Sequence, residues 1–372
     1  MTTPAAASAP GADTLRDRLP SLTSLRWFAA SVVFLSHASR LFDGTSLAPL
    51  FARIAPQGVT GVSFFFILSG FVLTWSHRPG DTPRRFYRRR FARVVPAYVA
   101  MCLVALIVPP LTYNPIESLH DLATRVFPLT LLQSWIPSRP WYFGGNSVSW
   151  SLSDEVFFYA LFPFLVRPLL GLAARSRIAL IAGLIAVGEL VPLLVHDYWF
   201  AAINPVFRLT EFVIGVCLAS LLIDGVRLRV PVWAAGAAAL GAYVAAGWAP
   251  NRIVVAAITL VPFALLILAT AEADAAGRAQ RVLHAPWLVR LGQWSFSFYL
   301  AHALVVSAFV RAADGRIDGA APRLVVLAAT YAAATAAAYA LFRLVEHPFE
   351  RRIRHGGTAV PPAEVASAAA RG

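Results

Sequence analysis

The chain has 372 residues, 58% of them hydrophobic and only 14% charged, where soluble domains carry about 25% charged residues. That balance excludes an ordinary soluble enzyme, because the apolar residues are gathered into runs of about 20, the length that crosses a bilayer. The formal net charge is +13 and every cationic side chain other than histidine is arginine. These arginines fall between apolar runs, so membrane topology accounts for them and no nucleic-acid partner is expected.

Taken in chain order, residues 1–20 open with small and polar residues, lack the apolar stretch of a signal peptide, and read as a disordered tail. Apolar helices are expected at about 22–41, 58–77, 91–110, 152–170, 178–195, 206–223, 231–248, 253–270, 291–310 and 322–345. The fold class is therefore all-α, a polytopic membrane helical bundle of about ten transmembrane helices over residues 21–355. Residues 356–372 read as a second disordered tail. Between the third and fourth helices, residues 111–151 are rich in proline, tryptophan and glycine. They predict a structured outer loop with a short interfacial or re-entrant piece near 126–136.

Arginine placement orients the bundle. Arg16 and Arg18, the cluster from Arg84 to Arg90, Arg175, Arg177, Arg227, Arg229, Arg278, Arg281 and the terminal Arg351, Arg352 and Arg354 fall on one side if the N-terminus is inside. Fewer, such as Arg53, Arg125, Arg139 and Arg252, fall on the other. The positive-inside rule then places both termini in the cytoplasm, with the chain a multi-pass protein of the cell membrane. Cys102 and Cys217 lie within apolar runs and read as packing residues. No CxxC or HExxH spacing occurs, so no metal is expected.

Ionisable groups inside spans are costly and mark function. The first helix carries Arg26 and His37. Eleven residues is about three turns, which puts both on one face, about 16 Å apart along the axis. Arg26 alone reads equally as a snorkelling anchor, and His37 alone as a packing histidine; sharing a face favours a joint role. In the second helix, Gly61, Ser63, Ser69 and Gly70 permit close helix approach, and Ser69 is a weaker candidate nucleophile. Arg90 and Arg93 lie three residues apart on one face of the third helix, offering planar forks suited to phosphate; a topology signal with lipid-headgroup binding is the alternative. In the fourth helix, Ser151 with Asp154 has capping-box spacing. Glu155 needs a partner from another helix, and pairing it with His37 would orient an imidazole base. Arg208 and Glu211 are expected to form an ion pair, and EHPFERRIR at the end of the last helix reads as structural. In the ninth helix Ser295, Tyr299 and His302 are buried, with His302 placed to share the cavity of His37.

The strings Arg26-x10-His37, GVSFFFILSGF, FYRRRFARVVPAY, WSLSDEVFFYALFP, SFSFYLAH and EHPFERRIR occur in the order found in the acyltransferase-3 family of integral membrane O-acyltransferases, which the chain resembles over about residues 20–355. The resemblance implies a ten-helix fold that moves an acyl group, commonly acetyl from acetyl-CoA, to a hydroxyl. Acceptors would be surface glycans, lipid-linked sugars or glycosylated natural products such as macrolides. It marks Arg26 and His37 as the essential arginine–histidine motif, Arg90 and Arg93 as the RxxR motif, and Glu155 as the first acidic residue of the helix-four motif. The second acidic position of that motif is Val156 here, with Asp154 standing before it instead. The esterase-like domain that many relatives append is not expected, which leaves transfer to the membrane domain or a separate protein. On this reading acyl-CoA, with no metal, is the donor. Its phosphates are held by Arg90, Arg93 and Arg26, while His37 is the base and Glu155 its orienting partner. Trp150, Ser153 and Tyr299 are oxyanion-donor candidates. A transporter of an acyl donor or lipid-linked sugar is the alternative of another class.

Overall fold

The computed structural model describes residues 19–78, 80–108, 117–249 and 252–355. The expected tails at 1–20 and 356–372 therefore fall outside the described residues, except residues 19 and 20. Ten long helices form the bundle: α1 Pro20–Ala38, α2 Thr60–Trp75, α3 Pro83–Ile107, α4 Trp150–Gly171, α5 Ala174–Leu194, α6 Pro205–Ile223, α7 Val232–Ala245, α8 Arg252–Ala275, α9 Pro286–Ala313 and α10 Ala320–Leu341. A π-helical turn, Phe342–Glu346, joins α10 to a last helix, α11 His347–His355.

Local chemistry sets several helix starts. Proline stands in the first turn of α1, α3, α6 and α9, where its missing N–H costs nothing. Thr82 caps α3 by accepting from the Arg85 N–H at 3.3 Å. That cap starts α3 eight residues before the expected position, so the cluster Arg84–Arg93 is helical rather than a loop, and its register fixes which arginines face inward. The Ser151–Asp154 capping box does not form. Ser149 stands at the N-cap of α4 without a side-chain bond, and Ser151 Oγ instead pairs with the Tyr299 hydroxyl at 2.7 Å.

By length and composition, α3, α5, α6, the Ile258–Ala275 part of α8, α9 and the run from α10 into α11 can cross a membrane, whereas α2 and α7 are apolar but shorter. Large apolar side chains stand exposed on the outside of the bundle: Leu190, Leu193 and Leu194 on α5, Trp233 and Leu240 on α7, and Val325 on α10. Water would penalise such a belt and lipid does not. The chain is an integral membrane protein.

Glycines set the closest crossings. A Cβ on Gly70 of α2 would lie 2.0 Å from the Phe212 carbonyl oxygen, and one on Gly215 of α6 would lie 1.9 Å from that of Ile67. The two backbones touch through paired glycines, as expected for Gly70. Gly292 does the same for α9 against α1, where a Cβ would lie 1.9 Å from the Thr23 carbonyl oxygen. Beside the α2–α6 crossing, Arg208 and Glu211 form the expected ion pair at 2.9 Å, and Arg208 also donates to Ser63 Oγ at 3.1 Å.

The segment between α3 and α4 is described from residue 117. It is folded into the bundle, with Gln133 and Ser134 fully buried in its expected re-entrant part. Gln133 Nε2 donates to the Ser149 carbonyl at 2.9 Å, Tyr98 Oη to the Pro128 carbonyl at 2.6 Å, and Asn146 Nδ2 to the Leu300 carbonyl at 2.8 Å. These bonds replace the water that a surface loop would use.

Candidate active site

Five helices, α1, α2, α3, α4 and α9, enclose a cavity of about 280 Å³. Arg26 of α1, Arg90 and Arg93 of α3, Ser69 of α2, Glu155 of α4 and Tyr299 of α9 all line it. Six of the residues singled out in the sequence are thus gathered from five separate helices. Arg26 lies within electrostatic range of Arg93, Glu155 and Glu346. The Arg90 guanidinium sits 5.9 Å from the Phe86 ring centroid and 6.0 Å from that of Tyr159, a cation held over aromatic faces.

Glu155 Oε1 accepts from Ser69 Oγ at 3.1 Å and from the Tyr159 hydroxyl one turn along α4. Its described partners are therefore Ser69 and Tyr159 of the cavity wall, with Arg26 and Arg93 in electrostatic range. His37 instead lies beside His302, with ring centroids 5.3 Å apart. The two histidines are linked to the cavity through Tyr299, whose ring is 5.8 Å from that of His302 and whose hydroxyl donates to the Val148 carbonyl at 3.0 Å and pairs with Ser151 Oγ at 2.7 Å. His302 is fully buried and does not line the cavity. Trp150 is buried in the adjacent apolar core, and Ser153 is bonded at 2.7 Å to Ser134 of the re-entrant segment, so neither reaches the cavity.

Four polar groups were not anticipated as part of the site. Tyr159 and Ser295 line the cavity, and Ser295 Oγ is buried with no hydrogen-bond partner. Glu346 and Glu350 come from EHPFERRIR, which the sequence presents as a simple stop. The π-turn after α10 buries Glu346 where it accepts from Ser297 Oγ at 2.7 Å, and it brings Glu350 to 3.9 Å from Arg93. The readable signals were the i,i+4 spacing of Glu155 and Tyr159 and two glutamates four apart at a helix end. The return of the chain's end to α3 was not readable. Among the described residues no group of side chains could hold a metal.

Residues 19–343 match the acyltransferase domain of the acyltransferase-3 family. The chain belongs to the acyltransferase-3 family. It is 36% identical over 307 residues to acyltransferase MdmB of Streptomyces mycarofaciens, covering 78% of this chain and 79% of that one. It is 27% identical over 308 residues to exopolysaccharide production protein ExoZ of Rhizobium meliloti, covering 80% and 91%. A shorter match, 26% identical over 168 residues, relates it to peptidoglycan O-acetyltransferase OatA of Listeria monocytogenes, covering 40% of this chain and 24% of that one. No solved structure matches the chain. As a member of this family, the protein is an acyltransferase that transfers groups other than aminoacyl groups. Such an enzyme needs an acyl donor and an acceptor.

Proposed function

We propose that the protein moves an acyl group, in the simplest case acetyl, from acyl-CoA to a hydroxyl of a carbohydrate-containing acceptor at the cell membrane. One observation carries the reading: Arg26, Arg90 and Arg93 converge on one cavity lined also by Tyr299, whose ring packs on His302, which in turn packs on His37 outside the lining. Three guanidiniums lining one cavity suit a polyphosphate donor. The Listeria and Rhizobium relatives, a peptidoglycan O-acetyltransferase and an exopolysaccharide production protein, favour an acetyl group and a glycan.

In this scheme the donor enters from the cytoplasm, with all ten long helices spanning the membrane and both termini inside. Arg90, Arg93 and Arg26 hold its phosphates, and the thioester reaches toward the outer half of α1. His37 removes the proton from the acceptor hydroxyl as oxygen attacks the thioester carbonyl. The C–S bond then breaks, and His37 returns the proton to the departing thiolate. Tyr299 and Ser151 line the cavity and supply donors to the developing oxyanion once they release the bonds they make to Val148 and to each other. Glu155 holds the arginines in place with Ser69 and Tyr159.

The test uses membranes carrying the wild-type chain or His37→Ala, with acetyl-labelled acetyl-CoA and a host extract of glycans and lipid-linked sugars. Label entering the glycan fraction with wild type, and falling by at least about 100-fold in His37→Ala, is the expected result. Equal labelling by both proteins removes His37 as the base. Acetyl transfer to a non-carbohydrate fraction removes the glycan acceptor.

A further inference from the structure

Ser295 of α9 lines the cavity, and the scheme above leaves it without a task. It is fully buried, and its Oγ has no hydrogen-bond partner. A serine inside a helix has a partner at hand, the carbonyl one turn back. Ser307, further along the same helix, takes that bond to the Ala303 carbonyl at 2.8 Å, and Ser297 donates to Glu346 at 2.7 Å. Ser295 does neither, and its hydroxyl is closed off from bulk water. A buried hydroxyl left unpaired is costly, and native proteins keep few of them without a purpose.

The neighbouring helix shows what that hydroxyl stands beside. α1 and α9 run next to each other in the same direction. A Cβ on Gly292 would meet the Thr23 carbonyl oxygen at 1.9 Å, the Trp27 and Phe298 ring centroids lie 4.7 Å apart, and those of His37 and His302 lie 5.3 Å apart. About one turn beyond the Gly292–Thr23 crossing, α1 carries Arg26 and α9 carries Ser295. Both line the same cavity, so they stand at one level of it. Tyr299 and His302 follow Ser295 on one face of α9, which puts Ser295 about 10 Å along the axis from His302. Ser295 therefore belongs to the end of the cavity where the guanidinium of Arg26 stands, not to the end near His37. A guanidinium beside the hydroxyl selects an anion, and an anion supplies the acceptor that the Ser295 hydroxyl lacks.

We infer that Ser295 is a donor-binding residue: beside Arg26, its hydroxyl donates a hydrogen bond to an oxygen of the diphosphate of the acyl-CoA donor. A serine turns about one side-chain torsion, so it meets a ligand with little loss of freedom. A hydrogen bond to a charged acceptor is stronger than one between neutral groups. The diphosphate keeps its bonds and its charge while the thioester reacts, so the interaction is the same in the ground state and the transition state. It therefore contributes to donor binding and not to the chemical step. Without the donor, the unpaired hydroxyl lowers the stability of the protein, and the donor relieves that cost. This inference rests on the reading of acyl-CoA as the donor.

The test compares purified Ser295→Ala with wild type in detergent, using the host glycan extract as acceptor. Three acetyl donors serve as probes: acetyl-CoA, its 3′-dephospho form, which keeps the diphosphate, and acetyl-pantetheine, which has no phosphate. The expected result is a fall in kcat/KM of at least about 10-fold for the first two and no change for acetyl-pantetheine, with kcat for acetyl-CoA within about 2-fold of wild type. A fall for acetyl-CoA alone overturns the diphosphate contact in favour of the 3′-phosphate, and equal falls for all three overturn any phosphate contact. Melting temperature gives a second readout. Without donor, Ser295→Ala is expected to melt no lower than wild type, because it removes an unsatisfied buried hydroxyl. The rise in melting temperature on adding CoA is expected to be smaller in the variant. A variant that melts lower than wild type without donor shows that the hydroxyl serves the fold, and overturns the inference. A wild type that neither uses acetyl-CoA nor is stabilised by CoA sinks the donor reading itself. A wild type that does both, beside an indistinguishable Ser295→Ala, sinks only the role of Ser295.

Discussion

Arg208 and Glu211 face each other in a core that excludes water, with the Arg208 guanidinium also 5.1 Å from the Phe66 ring. Breaking such a pair from one side leaves an uncompensated charge, which typically costs about 3–5 kcal/mol. Glu211→Leu is therefore expected to destabilise the protein by about that amount, and Arg208→Met combined with Glu211→Leu to recover most of it. Thermal unfolding in detergent measures both, and a single variant as stable as the double would show that the charges are not buried together. This pair was legible in the sequence because three residues of helix fix its geometry. So was the common face of Arg26 and His37, since helical pitch alone settles it. The partner of Glu155 was not legible. His37 and Glu155 both suggest an outer-half position, yet the rotation of α4 turns Glu155 toward Ser69 and the arginines, and α9 supplies His302 to His37. Which helix neighbours which is a property of packing, and no local spacing encodes it.

Helices were read more securely than their neighbours. Each of the ten apolar runs corresponds to a long helix, and the main displacement is at α3, where Thr82 and Pro83 start the helix early. A window tuned to apolar residues passes over that first stretch because five of its residues are arginine. The small residues of α2 pointed to close approach but not to the glycine across from them on α6. Gly70→Ala and Gly215→Ala each place a methyl group about 2 Å from a carbonyl oxygen, far inside van der Waals contact. Each is expected to lower the melting temperature in detergent by several degrees or abolish folding, while Gly183→Ala on α5, where a Cβ meets nothing within 4 Å, leaves it unchanged. Equal tolerance at all three positions would mean that α2 and α6 are further apart than described.

The bundle as a unit makes a claim about sidedness. Arg85 is exposed at the start of α3 and His120 is exposed in the segment before α4, at opposite ends of the helices that flank the cavity. Cys102 and Cys217 are both buried, so the wild-type chain should give little background with a membrane-impermeant thiol reagent. Arg85→Cys is expected to label only after the membrane is opened, and His120→Cys to label in intact cells. The reverse pattern would invert the bundle and place the donor cavity on the wrong side for a cytoplasmic thioester. The π-turn at Phe342–Glu346 has a consequence for how that cavity fills. It brings Glu346 and Glu350 within electrostatic range of Arg93, an arginine that Glu155 also faces, so carboxylates are built in around the cationic side of the cavity. On the proposed reading, an incoming phosphate meets arginines that tethered carboxylates already face. On that reading donor affinity is set by a difference between two anions, which favours a weak grip and easy release of the spent carrier.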